Sequence, residues 1–392
     1  MASRVTPISD ARSFATSREP RSGRVAVLLL LPVVILLIIG LGALLSASSV
    51  LAIREGHADN LYYFKRQIAF AGLGLGCLII GARVPYRWYQ RAALPIFVIA
   101  VIGLVATLVI GDVRGGAQRW IVLGPVTIQA SEFAKFAVVV MLAMVLTRKE
   151  SYLDTFGHLF WPVVTTLAVV GGLLMMQPDF GTTALMSASS FAILAASTAK
   201  IRHVIGLGMS ALAAGAMLAV AAPYRLDRVT SFLDANPDVL GDGYHAHQSL
   251  VALGTGGWFG VGLGASRARW SFLPNAHSDF IFAIIGEETG LAGSLAVLTL
   301  FFVLAMVGTT IALRARDEFG RLLAIGLVSW LTFQALVNIG GVVKVLPITG
   351  VPLPFVSAGG SAMMANLFVV GVLINIARLS AKGSRQNKEE LA

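Results

Sequence analysis

Asp279 stands where a polar loop meets an apolar run, in Leu273-Pro274-Asn275-Ala276-His277-Ser278-Asp279-Phe280. A carboxylate at such a boundary loses solvation, which raises its pKa and suits it to take a proton from a hydroxyl. Aspartate is also a good helix N-cap, and the residues alone leave cap and base level. Just upstream, Arg267 and Arg269 offer guanidinium groups of the right geometry for a phosphate. Gly254, Gly256, Gly257, Gly260, Gly262 and Gly264 would let backbone approach a ligand closely. His245, His247 and His277 suggest a metal, but zinc sites show clearer spacing, and ordinary polar loop histidines are the simpler reading.

Three further clusters carry polar chemistry. In Gly115-Gly116-Ala117-Gln118-Arg119-Trp120-Ile121, Arg119 and Trp120 form a cationic, amphipathic pair suited to the membrane interface, either as a functional site or as an aromatic belt with a snorkelling arginine. In Gln129-Ala130-Ser131-Glu132-Phe133-Ala134-Lys135, Ser131 fits an N-cap, and Glu132 and Lys135 share a helical face as an ion pair. In Gln177-Pro178-Asp179-Phe180-Gly181-Thr182-Thr183, Asp179 fits the cap of the next helix after a tight turn. Finally, the stretch from Asn338 to Ser361, with Lys344, three prolines and Ser357, breaks an apolar segment. Irregular backbone at membrane depth is tolerated only where protein buries it or it walls a cavity.

The elements that must position these residues follow from composition. The chain has 392 residues, 56% hydrophobic and 13% charged, with mean hydropathy +0.80. An ordinary soluble domain is about 25% charged. A disordered chain, a disulfide scaffold and a typical cytosolic enzyme are excluded, and a polytopic membrane protein is indicated. Cys77 is the single cysteine, so neither an intrachain disulfide nor a cysteine metal cage is available. The net charge of +10 lies at the ends of apolar runs, so the bilayer explains it without nucleic acid.

Helical spans of about 20 residues are expected at 25–48, 67–83, 92–110, 132–147, 159–176, 182–198, 201–222, 280–312, 322–343 and 359–377. The fold expected is all-α and polytopic, with about ten transmembrane helices and a large outer loop, 223–279, between the seventh and eighth. The eighth run is too long for one straight span, and its first turns, with Glu287, Glu288 and Gly290, should extend out of the hydrocarbon. Nineteen of the thirty basic residues fall at alternate ends, which places both termini in the cytoplasm. Residues 1–24 read as a cytoplasmic tail before a signal anchor, 25–378 as the membrane domain and 379–392 as a second tail. The polar motifs share the outer face, and no nucleotide fingerprint is present, so neither ATP nor NAD is implied.

Together these motifs resemble the SEDS family (shape, elongation, division and sporulation), which includes FtsW, RodA and SpoVE, over roughly residues 25–380. The likeness rests on Gly116–Ile121, Gln129–Lys135, Gln177–Thr183, Gly243–Ser249, Leu273–Gly290 and Leu346–Ser361. Leu45–Val50 and Tyr63–Gln67 look more like the FtsW branch than the RodA branch, and Leu273–His277 is similar to actinobacterial members. Ala130, His245, Asn275, Lys344 and Thr349 depart from the common pattern.

The resemblance implies a peptidoglycan glycosyltransferase that polymerises lipid II on the outer face of the bacterial cytoplasmic membrane, at the division septum. It implies a class B penicillin-binding protein, an FtsI-like transpeptidase, as partner, with other membrane proteins of the division complex. By motif, Asp279 corresponds to the family's essential loop aspartate. It would serve as base for the 4-hydroxyl of an acceptor GlcNAc, which displaces undecaprenyl pyrophosphate from an α-linked donor and leaves a β-1,4 bond. Arg119, Trp120, Glu132, Lys135, Asp179, Arg267, Arg269, His277 and Ser357 are the expected substrate-binding set. No protein metal cage is visible, although Mg2+ or Mn2+ on the pyrophosphate oxygens suits the chemistry. A lipid II flippase, a RodA-type elongation polymerase and a scaffold for the transpeptidase are the rival readings. The halves show no convincing repeat and the polar residues cluster on one face, which favours surface catalysis over transport.

Overall fold

A computed structural model describes residues 22–56, 59–114, 116–124, 126–148, 156–220, 244–268, 270, 273 and 276–390. In chain order its elements are α1 (Ser22–Arg54), α2 (Tyr62–Arg83), α3 (Tyr86–Arg91), α4 (Ala93–Ile110), β1 (Asp112–Arg114), β2 (Ala117–Leu123), β3 (Val126–Ile128), α5 (Ala130–Arg148), α6 (Phe156–Met176), α7 (Phe180–Ala196), α8 (Ile201–Val220), α9 (Tyr244–Gly256), α10 (Ile281–Leu313), α11 (Glu318–Val342) and α12 (Gly360–Glu390).

Eight of these helices are long and apolar enough to cross a bilayer, and two shorter apolar helices, Phe180–Ala196 and Ile201–Met217, match the sixth and seventh expected spans. The expected long loop carries α9, and its first part, 223–243, lies outside the described residues, as do the last two residues of the expected seventh span, 221 and 222. The α12 helix continues to Glu390, so the expected tail from 379 starts as a continuation of that helix.

The helices expose apolar residues on a scale that only lipid or another protein can cover, such as Ile99, Ile102, Val109 and Ile110 on α4. In contrast, α5 is buried nearly all round and forms the centre of the bundle. Packing between α2 and α12 depends on bare backbone: a Cβ at Gly81 would meet Phe368 O at 2.6 Å, and one at Gly371 would meet Leu78 O at 2.1 Å. Small residues let membrane helices approach this closely.

The two ends of the bundle differ. At the basic end, Asp317 caps α11 by accepting from Gly320 N at 2.8 Å, and also accepts from Tyr86 OH at 2.8 Å and Arg87 Nη2 at 2.9 Å. Burial, with the hydrogen bond to Asp317, pushes the Tyr86 phenol up to about 12. Asn375 of α12 accepts from Tyr86 N at 3.0 Å, so α3 ties α11 and α12 together there. The opposite end holds the antiparallel sheet β1-β2-β3, α9, the turn at 177–179 and the irregular stretch between α11 and α12.

Candidate functional site

Asp279 lies just before α10, whose N-cap position is occupied by Phe280 without a side-chain cap bond. The capping alternative for Asp279 is therefore not the one this fold adopts. Its loop is instead gripped through main-chain atoms from two sides. On one side, Asn338 Nδ2 of α11 donates to Asp279 O at 2.8 Å and to Val351 O at 2.9 Å. On the other, Ser357 Oγ donates to Ser278 O at 2.6 Å, and Ala358 N donates to His277 O at 3.1 Å. Gln67 of α2 holds that second grip in turn: its Nε2 donates to Ser357 O at 3.2 Å and its Oε1 accepts from Gly359 N at 3.3 Å.

Asp279 lines a small cleft together with Phe280, Asn338, Ile348, Thr349 and Gly350. Gly350 has φ 72°, and a Cβ there would stand 3.5 Å from Asp279 Oδ2. The left-handed backbone there favours glycine, and it places bare backbone beside the carboxylate. Helix α9 closes another side, with the His245 ring stacked on Phe280 at 5.9 Å and Ser249 Oγ donating to Val342 O at 2.8 Å.

The other expected site residues divide by what they touch. His277 is 5.5 Å from the Tyr63 ring, and burial holds its imidazole below the ordinary value against the opposing pull of Glu55. Ser357 grips the loop and accepts from Leu353 N at 2.8 Å. Arg119 Nε donates to Gln177 O at 3.1 Å, Nη2 donates to Pro178 O, and Nη1 lies 3.9 Å from Asp179 Oδ1. The guanidinium therefore closes the 177–179 turn. Asp179 caps α7 as expected, accepting from Thr182 N at 3.2 Å. That turn abuts the cleft loop, because a Cβ on Gly181 would meet Thr349 O at 2.7 Å. Trp120 is half-buried on β2, opposite Asp112.

Glu132 and Lys135 form a buried ion pair at 2.9 Å, with side chains 2% and 3% exposed. Lys135 Nζ also donates to Gln334 Oε1 at 2.9 Å, which accepts from Trp330 Nε1 at 2.7 Å as well. Gln334 Nε2 then donates to Pro352 O at 2.8 Å, so the pair supports the cleft loop from beneath. The expected Ser131 cap is not formed: α5 starts at Ala130, and Ser131 Oγ is buried with no hydrogen-bond partner among the described residues.

Arg267 is exposed, and its backbone N donates to Glu287 Oε1 at 2.9 Å. The same carboxylate accepts from Ser266 Oγ and, at 3.2 Å, from Ala268 N, so Glu287 fixes the loop that carries the arginine. Arg269 lies outside the described residues. Among the described residues, no group of three or more His, Cys, Asp or Glu gathers to hold a metal. The sequence reading missed Gln67, Gln334 and Glu287 as site residues, and saw Asn338 only as part of a loop motif. A polar amide inside an apolar run was the available signal, since buried polar groups must be paired.

These features define a polytopic helical membrane protein with one carboxylate held in a cleft at the end opposite its basic end. The chain belongs to the FtsW/RodA/SpoVE family of cell cycle proteins, whose sequence model matches residues 27–382. It is 39% identical to stage V sporulation protein E of Bacillus subtilis (strain 168), over 90% of this chain and 97% of that one. It is 37% identical to the probable peptidoglycan glycosyltransferase FtsW of Trichlorobacter lovleyi, over 92% and 95%. Among solved structures, it resembles a chain from a study of how a peptidoglycan synthase complex coordinates polymerization and crosslinking, with TM-score 0.73 and 26% identity, covering 92% of this chain and 98% of that one. It also resembles the rod shape determining protein RodA of Thermus thermophilus, with TM-score 0.65 and 26% identity, over 89% and 95%.

Proposed function

We propose that this chain is a peptidoglycan glycosyltransferase that joins lipid II units by β-1,4 bonds, with Asp279 as general base. One observation carries the residue assignment: Asp279 is held by its main chain outside the cap position of α10, beside bare backbone in a cleft. In the reaction, the acceptor 4-hydroxyl gives its proton to the carboxylate and attacks the anomeric carbon of the donor. The bond to pyrophosphate breaks with inversion, and the leaving group departs as a lipid pyrophosphate. Cations near the departing charge lower the barrier. Arg267, exposed on its fixed loop, fits that part, and Arg269 is proposed beside it. Arg119, Asp179, Glu132 and Lys135 act by supporting the loop that walls the cleft, and Trp120 offers a flat wall for the donor at the membrane interface. A divalent cation would enter with the pyrophosphate oxygens.

The proposed setting is the bacterial cytoplasmic membrane, with both termini cytoplasmic, the cleft outside, and action at the division septum. A class B penicillin-binding protein is the proposed crosslinking partner. Support comes from the synthase complex to which one similar structure belongs, and from the segregation of basic residues to one end.

Purified protein in proteoliposomes with labelled lipid II and that partner is expected to yield a ladder of glycan chains. Translocation of lipid II without polymer would make the chain a flippase, and absence of both would overturn the proposal. In the same assay, Asn338→Ala is expected to reduce polymerisation strongly. It strips the donor from Asp279 O and Val351 O, and a displacement of about 1 Å at a reacting group can lower a rate about 10²-fold. Unchanged turnover in Asn338→Ala would show that the grip on this side is dispensable.

A further inference from the structure

The α10 helix breaks at Gly290, where φ is 69° and ψ is −163°. A break frees backbone groups that lipid cannot satisfy. Here a loop satisfies them. Val261 N donates to Glu287 O at 3.0 Å, Gly262 N to Glu288 O at 3.1 Å, Leu291 N to Gly257 O at 2.9 Å and Ala292 N to Trp258 O at 3.2 Å. The two backbones touch, since a Cβ on Gly260 would meet Glu288 O at 2.1 Å. The segment after α9 is therefore attached to the break at a fixed level.

That level can be placed. From Gly290 to Leu313 the helix rises about 35 Å at roughly 1.5 Å per residue, and a hydrocarbon core is about 30 Å thick. Leu313 is followed by Arg314 and Arg316 at the basic end. The break, and the loop attached to it, thus fall at the opposite boundary between acyl chains and headgroups. At this boundary the loop turns apolar side chains outward: Trp258 is 73% exposed, Phe259 86% and Leu263 83%. The run from Gly254 to Ser266 contains no ionisable side chain. It continues an exposed apolar stripe on α10 formed by Leu291, Leu295, Leu298 and Phe302, which begins where Leu291 meets Gly257.

We infer that residues 257–264 form an interfacial anchor, with Trp258, Phe259 and Leu263 inserted among the lipids of that leaflet. Three observations select lipid as the occupant. The level matches the interface, the stripe below it belongs to a membrane span, and backbone carbonyls of Gly257 and Trp258 and backbone amides of Val261 and Gly262, which would otherwise need water, are paired with α10. The anchor fixes the depth of the break, and through Glu287 the depth of the loop bearing Arg267.

The test uses full-length protein in proteoliposomes. In a Cys77→Ala background, Leu263→Cys carries an environment-sensitive fluorophore, and quenching is compared between aqueous iodide and lipids spin-labelled near the headgroup or deep in the chain. Blue-shifted emission, quenched most by the shallow lipid label and little by iodide, is expected. Dominant iodide quenching overturns the inference, and so does emission protected from both quenchers, which would mean that protein covers the site. A probe-free repeat compares quenching by brominated lipids before and after Trp258→Phe. The brominated-lipid effect should fall in the variant, and an unchanged effect would also overturn the anchor. Polymerisation plays no part in these readouts, so they stand apart from the proposed activity.

Discussion

Asp279→Asn is expected to fold, insert and engage its partner, yet polymerise lipid II about 10²–10⁴-fold more slowly, the usual effect of losing a general base. The fold gives the reason that stability and activity separate here. Phe280 occupies the cap position of α10, so removing the charge strips no cap, and asparagine is itself a good capping residue. The grips on the loop involve Asp279 O, Ser278 O and His277 O, all of which persist in the variant. What disappears is the capacity to accept a proton at neutral pH. Asp279→Glu is expected to be nearly as slow, because Gly350 lies against the carboxylate and a longer side chain displaces it from the acceptor hydroxyl. Glycan ladders from purified variants, with thermal unfolding in detergent alongside, check both results. Near-normal ladders from Asp279→Asn would remove this residue from the reaction and turn attention to Glu132, Asp179 and Glu288.

The parts of this molecule that were legible in its sequence are those with long-range simplicity. Ten apolar runs needed only length and hydropathy, and each carries a helix. Asp279 was conspicuous because it sits at a boundary between polar and apolar sequence. The eighth run was visibly too long for one straight span, although the break at Gly290 was not foreseen. Local irregularity concealed the rest. Strands of three, seven and three residues in β1, β2 and β3 are too short for alternation to show. The α9 helix has 13 residues, two of them glycine and two histidine, and packs closely on α10 at Gly256, where a Cβ would meet Gly286 O at 2.0 Å. Roles assigned by residue type fared worst where tertiary contacts intervene. Arg119 looks like an anion ligand until Gln177 O and Pro178 O take its donors. Ser131 looks like a cap until α5 starts one residue earlier. Gln67, Gln334 and Asn338 look like flaws in apolar spans, whereas their partners lie 290, 18 and 59 residues away in the chain.

The buried pair in α5 carries the second large expected effect. Lys135→Met should destabilise the protein by about 3–5 kcal/mol, the usual result of leaving a buried charge without its partner. Glu132→Gln should be milder, because glutamine keeps an acceptor for Lys135 and the ammonium retains Gln334 Oε1 at 2.9 Å and the Trp330 ring at 4.8 Å. The double variant Glu132→Gln with Lys135→Met should then recover most of the lost stability, since apolar replacement of a whole buried pair is often neutral or favourable. Gln334 keeps its bonds from Trp330 Nε1 and to Pro352 O in that background, so the cleft loop keeps its support. Thermal unfolding of the three variants in one detergent tests the ranking. If the double variant unfolds as early as Lys135→Met, the pair is more than mutual compensation. Polymerisation by a stable double variant then separates two roles. Restored glycan synthesis confines Glu132 and Lys135 to supporting the loop around Asp279, as their 2% and 3% exposure indicates. A stable but inactive double variant would assign their charge to the reaction itself, acting on the cleft from beneath through Gln334 and Pro352.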